Sequence, residues 1–339
     1  MGQSTTIAWT DATWNPLRGC TEISPGCAHC YAAAIAARFS GPGKPFEGLA
    51  YRDANGKAHW TGKIATAPDK LREPLSWRKP RMVFVNSMSD LFHEDVPEEY
   101  ILSVFDVMRR CTWAGGQNCG RIGGSGHTFQ VLTKRADRAA DVLSRLCWDG
   151  EALNLEGRGY PHLKLTDQIW IGVSVEDQQR AIERIPHLLR TPARVRFLSC
   201  EPLLGPIDIE RATPCGYYCD ETSGHVDHSL RRLDWVIVGG ESGPGARPCD
   251  LAWIRSIVRQ CKTVGTACFV KQAGADVIDS GGGDGTFADL WPEGTSNIFF
   301  PGDDTYKVYL RDPKGGNPEE WPEDTRVREW PKLTGGGER

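Results

Sequence analysis

The sequence predicts an α/β fold built on parallel strands, and three observations carry that prediction. Short β-branched, apolar runs alternate with segments of 3.6-residue periodicity along most of the chain. The strand-like runs are almost continuously apolar, which suits parallel strands covered on both faces. Polar residues then collect where each run ends, the edge at which parallel α/β folds bind ligands. Six or seven βα units in series make a barrel, complete or partial, or a doubly wound sheet.

The strands are expected in order at TTIAWT (5–10), the weakest of them, then RMVFVN (81–86), TFQVLT (128–133), QIWIGVSV (168–175), RVRFLS (194–199), DWVIVGG (234–240) and ACFVKQ (267–272). Helices fall between them. PEEYILSVFDVMRRC places Ile101, Leu102, Phe105 and Met108 on one face, with acidic residues at its start and arginines at its end. KRADRAADVLSRLC, VEDQQRAIERIPHLL and DLAWIRSIVRQCKTVG repeat the theme; Pro186 should break or kink the third helix, and Gly265 should stop the last. Three segments stand outside the repeat. Residues 41–80 form a long loop with one short helix, PDKLREPLSW; residues 202–233 replace a crossover helix with a Cys/His-rich insertion; residues 279–339 read as an irregular tail anchored by tryptophans in EEWPEDTRVREWP. The expected organisation is therefore a barrel over 1–278, interrupted at 202–233, with an extension over 279–339 packed on it.

The chain has 339 residues, is 40% hydrophobic and 25% charged, and carries a net charge of −4. Those values suit a globular protein with a sizeable core and exclude a global basic field that would drive it onto nucleic acid or anionic lipid. The N-terminus lacks a signal-peptide profile, and no apolar run approaches the ~18 residues that suggest a transmembrane helix. The expectation is a cytoplasmic protein with no membrane contact, whose 12 cysteines are reduced or metal-bound rather than disulfide-paired.

The polar clusters at the strand ends are NSMSDLFHED (86–95), TKR (133–135), SVED (174–177), SCEP (199–202), GGESG (239–243) and KQAG (271–274). A core needs no charged or small group after every strand, so the set reads as a site, although any one member, Asp177 for instance, can equally be a helix cap. On the same edge, after the first strand, GCTEISPGCAHCYAAAIAAR supplies Cys20, Cys27 and Cys30 within eleven residues. Zinc in a structural site takes four ligands, and this loop gives three. His29 would complete a set only by bending back between Cys27 and Cys30. A distant Cys200 or Cys249 would complete a structural site. A third option leaves the position open: a 4Fe–4S cluster gripped by three cysteines keeps one iron free for a ligand.

That third option resembles the radical S-adenosylmethionine enzymes, which carry a three-cysteine motif after the first strand of a partial (βα)6-type, TIM-like barrel. Their commonest spacing is C-x3-C-x2-C; here the first gap is six and the C-x2-C half is kept. WTDATWNPLRGCTEISPGCAHCYA, VNSMSDLFHEDVP, TFQVLTKR, IGVSVED, LSCEPLLGPI, VIVGGESGPGARP and WPEDTRVREWP further resemble, in order from Trp9 to Pro331, a phage-associated family of radical-SAM-like proteins with no assigned reaction. That family is distantly similar to spore photoproduct lyase, a DNA-repair enzyme.

The resemblance implies that Cys20, Cys27 and Cys30 hold a 4Fe–4S cluster and that S-adenosyl-L-methionine binds its open iron. His29 takes the place of the aromatic residue near the adenine. Ser87, Ser89 and Asp90 become candidates to accept from the ammonium group of S-adenosylmethionine, and Lys134 or Arg135 to bind its carboxylate. Glu176 would accept from the ribose hydroxyls, Gly239 and Gly240 would allow close backbone approach, and Glu201, Glu241 and Lys271 would face the substrate. For the Glu and Lys members, salt bridges tying strand ends together are the competing reading. An electron donor such as a flavodoxin or ferredoxin would be a partner.

Cys215, Cys219, His225 and His228 in CGYYCDETSGHVDH offer a C2H2 set for zinc, with a shorter histidine spacing than usual. Cys111, Cys119 and His127 form a weaker set, while Cys147, Cys261 and Cys268 fall on core positions. REPLSWRKPR (72–81) places Arg72, Arg78, Lys79 and Arg81 beside Trp77, groups able to hold phosphates and stack a base. The expected activity is radical chemistry on a nucleic acid or nucleotide, in repair or modification. The alternatives are a zinc-bearing nucleic-acid-binding protein that kept the barrel without the reaction, and a peptide-modifying radical enzyme.

Overall fold

The computed structural model describes residues 3–112, 125–148, 153–154, 165, 167–212, 233–281, 287–300 and 304–332. It has an α/β fold of partial-barrel type. Seven parallel strands follow one another in the sheet: β1 (Ala12–Trp14), β2 (Met82–Val85), β3 (Thr128–Thr133), β4 (Ile169–Ser174), β5 (Arg196–Cys200), β6 (Trp235–Gly239) and β7 (Ala267–Gln272). Each strand neighbours its predecessor in the sequence. A doubly wound sheet reverses its order at a switch point, so this consecutive order decides for the barrel type. The strand interiors explain themselves: every residue of β2, β4 and β6 is buried, as two-sided cover requires.

The chain divides into two compact units, Met1–Val173 with Arg190–Val195, and Ser174–Leu189 with Arg196–Arg339. The division falls inside the expected barrel, and the tail belongs to the second unit together with the last three strands.

In the first unit, β1 pairs with β2 through Ala12↔Val83 and Trp14↔Val85, β2 with β3 through Met82↔Thr128, and β3 with β4 through Phe129↔Ile169. Gln3–Ser4 adds a short antiparallel strand on the free edge of β1. The expected strand at 5–10 is corrected here. Thr10 N–H donates to the Ile7 carbonyl in a turn, and the first parallel strand begins only at Ala12. Trp9 is buried against Phe84 at 4.8 Å, so its apolar signal came from packing and not from a strand. Helix α1 (Tyr31–Arg38) follows the cysteine loop; α2 (Glu98–Cys111) buries Ile101, Val104, Phe105 and Met108; α3 (Ala136–Arg145) buries Ala139, Val142 and Leu143.

In the second unit, α4 (Gln178–Arg190) runs through Pro186 without ending there, so the proline does not break the helix. α5 (Leu251–Val264) begins at Asp250, whose carboxylate accepts from Ala252 N–H at 2.9 Å, and stops at Gly265 with φ +78°. The tail is less irregular than its composition suggests. Ser296–Phe300 and Thr305–Tyr309 form a hairpin that pairs onward with Val277–Asp279. Its last segment runs along β7: Val270 N–H donates to the Val327 carbonyl and Glu329 N–H to that of Cys268, both at 2.8 Å. Trp321 is fully buried, and Trp330 stacks on Trp235 at 5.0 Å. The tryptophans do anchor it. Among the described residues, no helix is long and apolar enough to cross a membrane.

Candidate functional site

After β1 the chain makes a short pairing of Leu17–Arg18 with Ala65–Thr66, then turns at Gly19. Gly19 has φ +91°, and a Cβ there would land on the Lys63 carbonyl oxygen. Only glycine sets Cys20 at this point. Gly19→Ala should cost about 1–3 kcal/mol from backbone strain alone and shift the loop. Thermal melting together with iron uptake checks this, and parental values in both would refute it.

The loop closes through a 3-10 turn, Pro25–Cys27, and α1 starts one residue after Cys30. The three cysteines are free thiols, partly buried, and each has its own neighbours. Burial pushes the Cys20 thiol up to about 12, with Asp90 adding to the rise and Arg135 opposing it. For Cys27, burial raises the value, but the Lys134 charge, the Ile23 and Ser24 amides and the Ser24 hydroxyl outweigh it, so the net shift is downward. Burial raises Cys30, while the Ala33 and Ala32 amides and the Trp60 indole pull against it. Trp60 comes from the hairpin Ala50–Arg52/Ala58–Trp60. It packs with Ala32, Ala33, Ala36, Ala50 and Met88 into a small core under Cys20 and Cys30. The long loop at 41–80 therefore has a structural purpose: it supplies the floor of the cysteine loop.

Opposite lie the ends of β2 and β3. Ser87 Oγ donates to Asn15 Oδ1 at 3.2 Å and Ser89 Oγ to the Leu17 carbonyl at 3.1 Å. Both hydroxyl oxygens keep acceptor lone pairs. Asp90, expected as an ammonium acceptor, is engaged elsewhere. Its carboxylate accepts from Phe92 N–H (3.0 Å), Thr133 Oγ1 (2.7 Å), Lys134 N–H (3.0 Å) and Arg135 Nη1 (3.2 Å). Four donors fill a carboxylate's lone pairs, so Asp90 is a tie between strand ends. Arg135 also donates from Nε to Glu94 Oε2 at 2.7 Å, and its Nη2 is buried with no partner. His29 is exposed at the rim of the loop.

Behind the loop, buried His93 accepts from Asp95 N–H at Nδ1 (3.2 Å), so Nε2 carries the proton and donates to Thr21 Oγ1 at 2.7 Å. Burial and the Arg135 charge hold its pKa below the ordinary value, against the pull of Glu94, Asp95 and Asp90. The unfolded chain thus binds the extra proton as pH falls. Stability should be full above about pH 6.5 and decline below it. Urea midpoints between pH 5 and 7.5 should show this slope and show it flattened in His93→Gln; equal slopes would refute the assignment.

In the second unit, the strand ends bring Lys271 Nζ and Glu201 Oε1 to 2.9 Å, as a half-buried ion pair. The other expectations there are corrected. Glu176 has no exposed surface and pairs with Arg184 at 3.0 Å. Glu241 is buried and accepts from the Arg247 side chain at 2.6 and 3.0 Å and from its amide at 2.9 Å, which folds its own loop. Gly239 and Gly240 allow close approach, but to protein: a Cβ at Gly239 would meet Gln272 O at 3.0 Å and Glu201 Oε1 at 3.1 Å, and one at Gly240 would strike Ala273. Cys200, Cys249, Cys261 and Cys268 are all buried, and burial raises the Cys200 and Cys249 thiols. Cys215, Cys219, His225 and His228 lie outside the described residues, as does Cys119. Cys111 is buried, and His127 sits edge-on to Trp77 at 5.6 Å. Trp77 itself is buried under Arg81 (5.3 Å), which removes it as a base-stacking platform, whereas Arg72, Arg78 and Lys79 are exposed.

Among the described residues, no three His, Cys, Asp or Glu side chains gather as ligands of one ion. The fit to an iron–sulfur cluster therefore rests on donor chemistry: three soft thiols from one loop, cations from β3 beside two of them, and a buried guanidinium nitrogen with no partner. An α/β partial barrel with a three-cysteine loop after its first strand is the class this defines. The chain belongs to a family of proteins of unknown function, DUF5131, whose pattern matches residues 4–281. No curated protein and no solved structure matches it.

Proposed function

We propose that this chain is a cytoplasmic radical S-adenosylmethionine enzyme acting on a nucleic acid or nucleotide. The observation that carries the reading is the loop of three thiols, each set against a different stabilising neighbour, facing the cations at the end of β3. Cys20, Cys27 and Cys30 would hold a 4Fe–4S cluster. With S-adenosylmethionine bound, such a cluster supplies a 5′-deoxyadenosyl radical for hydrogen abstraction, once a flavodoxin- or ferredoxin-type donor has delivered an electron. The protein's part is orientation and water exclusion. Ser87 and Ser89 offer oxygen lone pairs to an ammonium group, Lys134 offers its charge to a carboxylate, and His29 lies at the loop rim for the adenine. The Glu201–Lys271 pair is the group suited to hold or move a proton in the second unit.

Anaerobic purification tests the reading directly. The reconstituted chain should hold about four irons, show a brown charge-transfer band, and release 5′-deoxyadenosine on reduction with S-adenosylmethionine. A chain that takes up only zinc overturns it. For the substrate, the exposed Arg72, Arg78 and Lys79 support phosphate contact. Arg78→Ala/Lys79→Ala should weaken binding of single-stranded DNA and lower the slope of log K against log salt by about 1.4. An unchanged slope excludes this surface.

A further inference from the structure

Arg135 is 7% exposed, and its three nitrogens meet three different surroundings. Nε donates to Glu94. Nη1 donates to Asp90 and also reaches Cys20 Sγ at 4.0 Å, within the longer reach of a sulfur acceptor. Nη2, equally buried, has no partner among protein atoms. Two carboxylates therefore fix one guanidinium with one edge on a cysteine of the loop and both Nη2 N–H groups unspent. Asp90 already joins β2 to β3 through the Thr133 hydroxyl and the Lys134 amide. A strand-end tie does not need the arginine.

We infer that Arg135 is a positioning residue that sets the potential at which the cluster accepts its electron, an inference that rests on the cluster reading above. With the cluster bound, Nη1 would donate to the Cys20 thiolate, and Nη2 would be left to donate to a cluster sulfur. One electron from the external donor lowers the cluster charge by one. A permanent cation held in dry surroundings stabilises that reduced form more than the oxidised one, and hydrogen bonds to sulfur act in the same direction. Arginine is always protonated, so no proton accompanies the electron through this residue. Glu94, with its side chain 59% exposed, partly offsets the guanidinium charge.

The test is a redox titration of the reconstituted full chain with dithionite and mediators, followed by electron paramagnetic resonance. Arg135→Gln should move the midpoint to lower potential, and Arg135→Lys, which keeps the charge without the fork, should fall between it and the parent. Glu94→Gln should raise the midpoint. Asp95→Asn is the control: it makes the same charge change one residue along, at a 68% exposed side chain that does not bond Arg135, and should leave the midpoint in place. An unmoved midpoint in a cluster-bearing Arg135→Gln overturns the inference. So do equal shifts in Glu94→Gln and Asp95→Asn, and that comparison decides the matter if Arg135→Gln fails to fold. A parent chain that assembles no cluster overturns the proposed function as well; a parent with a cluster and insensitive variants overturns this inference alone.

Discussion

Cys27→Ala, reconstituted under anaerobic conditions, is expected to retain less than one iron per chain where the parent holds about four, and to release no 5′-deoxyadenosine. Cys27 is the thiol whose pKa falls below the ordinary value, because Lys134 and the amides of its own turn favour the thiolate over the cost of burial. The thiolate is the form that binds metal, so this cysteine is the one best prepared to start assembly. It is also only partly buried at the end of a 3-10 turn. Its removal should change the free energy of urea unfolding of the metal-free chain by no more than about 0.5 kcal/mol. The variant thus separates loss of metal from loss of fold. Parental iron content together with parental S-adenosylmethionine cleavage would end the enzyme reading.

Asp90→Ala should produce the largest loss of stability in the first unit, about 3–5 kcal/mol by urea unfolding of the metal-free chain. Asp90 and Arg135 are 5% and 7% exposed, so deletion of the carboxylate leaves a buried cation with only Glu94 to answer it. The same change removes the acceptor of the buried Thr133 hydroxyl and of the Lys134 and Phe92 amides. Asp90→Asn keeps the shape and part of the hydrogen bonding, and should lose less. A change under about 1 kcal/mol in Asp90→Ala would refute the role given to this residue.

The strands from 81 onward were legible because burial on both faces writes an uninterrupted apolar run, and β3 and β7 begin and end where their runs do. The first strand was not. Three residues are too few to carry a period, and the apolar signal of Ile7 and Trp9 belongs to the turn before it. The cysteine loop was legible because all its sulfurs come from one segment. Its neighbours were not: Trp60 arrives from a hairpin of another loop, and no local pattern marks it. The carboxylates show the other limit. Glu176 and Glu241 stand where a ligand site would need them, yet arginines eight and six residues further on claim them. Sequence displays which charges reach the strand ends; only packing discloses which of them are already spoken for.

The family pattern stops at residue 281, but hydrogen bonding to β7 does not. Residues 327–329 lie along that strand like the last stave of a cask, and Trp330 lids Trp235. A polypeptide ended at the family boundary would leave the β7 backbone amides bare and an indole wet, inviting other chains to dock there. The tail therefore works as a built-in seam sealer, and trimming it should yield a sticky protein rather than a smaller one.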